Sequence, residues 1–143
     1  MSISIETARG MIHTWQCDHM GHANLRAYGE LFEQSLWHVF AHIGLTPELL
    51  RSGAVHMAGV QQNITYRQEL YPGDCVAVRS GLVDVQERRI TMRHELLNTV
   101  TGEVCAICEL TAVCIDPSTR RPSNLPAEVA ARAAAMLGDE SEI

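Results

Sequence analysis

CDHMGHANLRAYGELFEQSLWHVFAHIG, residues 17–44, joins a polar loop to the longest helical pattern in the chain. Tyr28, Leu31, Phe32, Ser35, Leu36, Val39, Phe40 and Ile43 recur at three- and four-residue steps, the spacing of one helix face. Asn24 is a candidate N-cap, because its side chain can accept a first-turn amide, and Gly44 supplies the stop. Apolar residues off that stripe, among them Trp37 and Ala41, predict a helix covered on more than one side.

Outward from this helix the texture changes. TPELLRSG, residues 46–53, reads as one short helix with Thr46 as cap and Pro47 at its first position. Strand patterns follow at VHMAGVQQNITYRQEL, CVAVRSGLVDV, RRITMRHELLN and EVCAICELTAVCI, with turns at Tyr71-Pro72-Gly73-Asp74 and at Gly102. In the last strand Val104, Ala106, Cys108, Leu110, Ala112 and Cys114 share a face, and the other face is also largely apolar, as in a central strand or one buried by a partner subunit. Counting MIHTW, residues 11–15, as a first strand gives about five strands and one long early helix. Runs of strand without alternating helices predict an α+β fold with an antiparallel sheet. DPSTRRPSNLP is a turn-rich exit, AEVAARAAAML a terminal helix, and GDESEI an acidic tail.

The 143 residues predict a single domain over 1–143. Net charge is −6, and all 11 basic residues are arginines without the clustered face that a phosphate backbone requires, so nucleic acid is not an expected partner. The amino terminus is too polar for a signal peptide, and no stretch reaches the roughly 20 apolar residues that span a bilayer, which predicts a cytoplasmic protein without membrane association. Five cysteines, mostly in apolar alternating runs, read as small core residues. Cys105 and Cys108 of CAIC, three apart on a strand, are expected to point to opposite faces rather than converge on one ion.

The loop itself admits three readings. Asp18, His19 and His22, with His13 nearby, are acceptable metal ligands, but no second cluster completes a set, and the expectation is no metal. As an ordinary turn, Asp18 and Asn24 would organise the backbone and Gly21 would give it freedom. As a catalytic turn, the Asp18 carboxylate would attack an acyl carbonyl or activate water against it, while amides at the helix start hold the developing oxyanion.

WQCDHMGHANLRAYGELFEQS resembles the signature of hotdog-fold acyl-CoA thioesterases of the 4-hydroxybenzoyl-CoA thioesterase type, with Asp18, Gly21, Asn24 and Tyr28 on the matching positions. The YPGD turn and the DPSTRRPSNLP exit are similar to that family too, so the resemblance extends over most of the chain. It implies an antiparallel sheet wrapped around one long helix, and subunits paired as a homodimer or homotetramer with the site at their interface. It implies hydrolysis of an acyl-CoA to free acid and coenzyme A, with coenzyme A as part of the substrate and no separate cofactor. It assigns Asp18 as nucleophile or general base, amides around Leu25 and at Gly21 as oxyanion donors, and Asn24 and Tyr28 as residues shaping the site. His19 and His22 have no fixed role there, and Glu33 falls where such helices often carry an acid.

Other readings stay open. Glu30 and Glu33 could be solvated helix charges, and Trp15 and Trp37 could line an acyl pocket or sit in the core. The pairs Arg88–Arg89 and Arg120–Arg121 suit coenzyme A phosphates or plain solvation. A hotdog dehydratase or hydratase would need a histidine and an acid placed together across the subunit boundary, with His56 and Glu33 as the candidate pair, and a non-catalytic acyl-CoA-binding module would need neither.

Overall fold

The computed structural model describes residues 3–138. Five strands, β1 (Ile5–Met11), β2 (His56–Tyr66), β3 (Cys75–Val85), β4 (Arg89–Asn98) and β5 (Val104–Ile115), form one sheet in the order β1-β3-β4-β5-β2, every neighbouring pair antiparallel. Helix α1 (Leu25–His42) lies on one face, followed by the short α2 (Pro47–Arg51); α3 (Ala127–Leu137) packs on the same face towards the far end of α1. This is the α+β arrangement that the order of elements predicts.

The stripe read from the sequence is the face that α1 buries. Ala27, Tyr28, Leu31 and Phe32 pack on Val76 and Val78 of β3, Leu96 of β4 and Ala106 and Cys108 of β5. One to two turns further on, Val39, Phe40 and Ile43 pack on Leu82, Ile90, Met92 and Ala112 together with Val129, Ala133 and Met136 of α3. Fully burying each large aliphatic side chain is worth about 1.5–3 kcal/mol, so these two clusters supply the main driving force. Ser35, buried between them along the helix, satisfies its hydroxyl by donating to the Leu31 carbonyl four residues back, at 2.9 Å.

The helix ends follow their capping residues. Asn24 accepts from the Ala27 amide, Thr46 accepts from the Leu49 amide, and Gly44 adopts a φ of +94°, the left-handed conformation that ends α1 without a side-chain clash. A methyl group on Gly44 would also meet Cδ of Arg132 at 3.4 Å.

Four expectations need correction. The first strand is Ile5–Met11 rather than residues 11–15, where a 3-10 turn at Thr14–Gln16 stands instead; Thr7 is buried in that strand by hydrogen bonding to β3, a tertiary signal absent from local hydropathy. Cys105 and Cys108 belong to the same buried cluster, because the β4–β5 register shifts between Leu96 and Leu97 and an extra residue in β5 breaks its alternation. Trp37 remains 45% exposed, so that side of α1 is only partly covered among the described residues. Trp15 is 76% exposed and stacks on His13 at a centroid distance of 4.1 Å, outside the core. The acidic tail lies outside the described residues apart from Gly138.

Ile43 is completely buried where α1, the sheet and α3 meet. Truncating it to alanine is expected to lower the unfolding free energy by about 2–5 kcal/mol, read as a lower urea midpoint at unchanged slope.

Candidate active site

Cys17 and Ala23 form an isolated antiparallel bridge that closes residues 18–22 into a tight loop. Inside it the Asp18 amide donates to the His22 carbonyl at 3.2 Å, and the Gly21 amide donates to the Asp18 carbonyl at 3.0 Å. Gly21 has φ +83°, which a side chain would strain. The Asp18 carboxylate is exposed, and Oδ1 accepts the Met20 amide at 2.9 Å, so the side chain holds the turn and still presents its charge to solvent. Two further bonds seat the loop: the Ala23 amide to the Leu70 carbonyl at 2.7 Å, and the Asn24 amide to the Gln16 carbonyl at 2.9 Å. His19 is exposed on the loop.

Immediately after the loop, α1 begins with the Asn24 cap taking the Ala27 amide. The amides of Leu25 and Arg26, in the first turn, have no acceptor within the helix, and the helix dipole places partial positive charge there. Tyr28 fixes this end of the helix: its hydroxyl donates to the Gln68 carbonyl at 3.1 Å, and its ring meets Tyr66 edge to face at 5.0 Å. Burial pushes the Tyr28 phenol above its ordinary pKa, keeping the donor protonated.

Thus His22, Leu25 and Tyr28 come together with Tyr66, Arg67, Gln68 and Glu69 around a cleft of about 240 Å³. His22 bridges its two walls, with Nδ1 donating to the Ala23 carbonyl at 3.1 Å and Nε2 3.6 Å from Glu69. Asp18, His19 and Gly21 stand on the adjoining loop rather than in the lining of that cleft. The Gly21 amide donates within the turn, to the Asp18 carbonyl, whereas the Leu25 amide has no acceptor within the helix. Tyr66, Gln68 and Glu69 carried no sequence signal, since they reach the helix start only because β2 ends beside it.

A second cavity, of about 440 Å³, runs along the next turns of α1. Arg26, Glu30 and Glu33 on the helix, Gln62 on β2, and Cys108 and His94 on the sheet line it. The histidine that Glu33 shares a cavity with is therefore His94. Within the one chain His56 is exposed and lines a different concavity with Trp37 and Leu50; its expected pairing with Glu33 is one between subunits. The two-residue periodicity of β4 puts His94 on the buried face with Met92 and Leu96, and that inward register was the available sign. Burial drops His94 to a pKa of about 4 and lifts the Cys108 thiol to about 11, leaving a neutral imidazole beside a protonated thiol.

Arg88 and Arg89 line a concavity of about 610 Å³, with Arg88 Nε donating to Asn124 at 3.1 Å. Arg120 and Arg121 are exposed on the turn beyond β5. Among the described residues no three His, Cys, Asp or Glu side chains converge in a way that could hold a metal ion, and no helix is long and apolar enough to cross a membrane.

The family model of the thioesterase-like superfamily matches residues 12–133. Among solved structures, the chain is similar to the hypothetical protein SAV2348 from Staphylococcus aureus in complex with CoA, with TM-score 0.85 and 20% identity over 95% of this chain and 86% of that one. It is similar to Slr0204, a 1,4-dihydroxy-2-naphthoyl-CoA thioesterase from Synechocystis, with TM-score 0.79 and 15% identity over 93% and 96%. The probable thioesterase YbaW from Escherichia coli gives TM-score 0.73 and 21% identity over 96% and 98%. No curated protein matches the chain.

The buried neutral histidine makes stability depend on pH. The unfolded chain protonates this imidazole near pH 6.5 and the fold resists until about pH 4, so the unfolded state binds more protons between those values. Stability from this group is complete above pH 6.5 and falls as pH drops towards 4, by on the order of 3 kcal/mol in all. Urea midpoints at pH 7.5 and 4.5 are expected to differ less in His94→Gln than in the unsubstituted protein.

Proposed function

Since the chain belongs to the thioesterase-like superfamily, we propose that it hydrolyses an acyl-CoA thioester to the free acid and coenzyme A. The observation that carries this reading is an exposed carboxylate, Asp18, on a loop that leads directly into a helix start whose first-turn amides have no acceptor within the helix. The CoA complex of a similar fold supports a CoA-type substrate.

In this mechanism the thioester carbonyl oxygen sits against the Leu25 and Arg26 amides, which stabilise charge as it develops. Asp18 removes a proton from water as the water oxygen bonds to the carbonyl carbon. The tetrahedral oxyanion collapses, the C–S bond breaks, and the departing thiolate takes the proton back from Asp18. Alternatively the carboxylate attacks directly and expels the coenzyme A thiolate, giving a mixed anhydride; water then opens it, releasing the acid, regenerating the Asp18 carboxylate and supplying the thiolate with its proton. Asn24 and Tyr28 hold the helix start in place, and His22 and Glu69 form the cleft beside it.

A dehydratase or hydratase reading draws on Glu33 and His94 sharing a cavity. With its pKa near 4, however, His94 is a weak base for an α-proton. Appearance of an α,β-unsaturated acyl-CoA without thiol release would favour it, and saturable binding without any turnover would favour a binding module.

Asn at position 18 retains the oxygen that accepts the Met20 amide and removes only the negative charge. Asp18→Asn is expected to lower kcat by roughly 100-fold or more in a thiol-release assay over a panel of acyl-CoAs, with the far-UV spectrum unchanged. Near-normal turnover would eliminate the mechanism. The protein is also proposed to work as a homodimer or homotetramer, because β2 is an 11-residue edge strand with most side chains exposed and an unpaired outer rim. Sedimentation equilibrium is expected to give at least twice the chain mass; a monomer at micromolar concentration would contradict this.

A further inference from the structure

Gly29 stands inside α1, away from both caps, where glycine is the least favourable residue short of proline. Among the described residues nothing in its own subunit requires it. Its φ is not in the left-handed region, and beyond its two neighbours and the helix's own backbone a methyl group there would meet no heavy atom within 4 Å. Gly44 has both a left-handed φ and a close neighbour to justify it; Gly29 has neither. Alanine would fit and would strengthen the helix, so the missing side chain calls for a reason outside the fold.

Its position supplies one. Leu25, Gly29, Phe32, Leu36 and Phe40 follow each other at steps of three and four residues and so form one stripe along α1. Leu25 lines the cleft of about 240 Å³ at the helix start, Gly29, Phe32 and Leu36 line the cavity of about 440 Å³, and Leu36 and Phe40 line a third of about 260 Å³. The edge strand β2 contributes to each in turn, with Tyr66, then Gln62, then Met57. Arg26, Glu30 and Glu33 are exposed on the neighbouring stripe and give the middle cavity a charged outer rim above Phe32, Leu36 and Leu110. Gly29 is the member of the apolar stripe without a side chain, about 6 Å along the axis from Leu25. It stands where the first cleft gives way to the second.

We propose that Gly29 is the passage through which the acyl chain runs from the Leu25 amide into the middle cavity, and that its missing side chain selects acyl groups long enough to pass it. The inference rests on the thioesterase reading, which fixes the carbonyl at the helix start. Of the two arms of the substrate the acyl chain is the apolar one, and the phosphate-bearing coenzyme A arm keeps its hydration. Each methylene beyond Gly29 leaves water for the surfaces of Phe32, Leu36 and Leu110. A side chain at position 29 would gain helix stability and shut that route, the kind of opposition between stability and activity that keeps an unfavourable residue in place. The other occupant to be tested is a second subunit packed against the bare turn of helix.

The experiment compares kcat/KM for thiol release from butanoyl-, octanoyl- and dodecanoyl-CoA by the unsubstituted protein, Gly29→Ala and Gly29→Leu. The unsubstituted protein is expected to favour dodecanoyl over butanoyl by roughly 10-fold or more, because each buried methylene is worth up to about fourfold. In Gly29→Leu that preference falls by roughly 10- to 100-fold, and the loss grows with chain length. In Gly29→Ala it falls several-fold while the urea midpoint rises at unchanged slope. The alanine variant is the more stable protein, so the outcome does not hinge on the leucine variant folding. A preference for butanoyl in the unsubstituted protein, or an equal loss at all three chain lengths, would overturn the proposal. So would a smaller mass in sedimentation equilibrium for either variant, which would make Gly29 a subunit contact. If none of the three thioesters releases thiol, the wider acyl-CoA panel decides the hydrolase reading and calorimetric titration of these three decides the passage. Affinity that rises with chain length, and loses that rise in Gly29→Leu, upholds it; binding that ignores chain length or the substitution rejects it.

Discussion

The contact on which the rest depends is the seating of α1 on strands β3, β4 and β5. Leu31 and Phe32 enter one apolar cluster and Val39, Phe40 and Ile43 the other, so the helix is held at two places along its length and can neither roll nor slide without exposing one of them. Position at the helix start follows from that. Asn24, Leu25 and Arg26 stand where they do because Tyr28, one turn on, is locked by its ring contact with Tyr66 and its hydroxyl bond to Gln68. The site loop then needs only its own short bonds to present Asp18.

The same seating covers a row of polar side chains. Thr7, Ser80 and His94 cross a sheet face that is otherwise apolar and covered by a helix, where each hydroxyl and imidazole nitrogen would be expensive to leave unpaired. Three of the four heteroatoms are satisfied by one another and by a backbone carbonyl. The fourth, Nε2 of His94, is buried without a partner among the described residues.

Two clefts open along one helix. At the start of α1 stand amides without helical acceptors and, on the loop before them, an exposed carboxylate. Along the following turns Phe32 and Leu36 face a second cavity together with the charged Glu30 and Glu33. The edge strand β2 contributes Tyr66 to the first and Gln62 to the second.

Local chemistry made much of this legible from the letters. The three- and four-residue spacing of Leu31, Phe32, Val39 and Phe40 specifies a buried helix face, Asn24 and Gly44 specify its ends, and alternation in residues 75–85 and 104–115 specifies strands, because each signal depends only on near neighbours. The turn around Asp18 and Gly21 is of the same kind. Contacts between distant segments were beyond its reach. Alternation with Met92 and Leu96 marks His94 as inward-facing, but only the antiparallel register sets it against Ser80 under α1 and leaves His56 exposed. Thr7 looked like part of a polar terminus until pairing with β3 buried it, and the bulge at Cys105 reversed an alternation that the sequence states without interruption. Sequence alone determined which segments bury a face; the tertiary structure decided which polar groups meet across those faces, because that depends on strand order and register, set by the packing of the whole sheet.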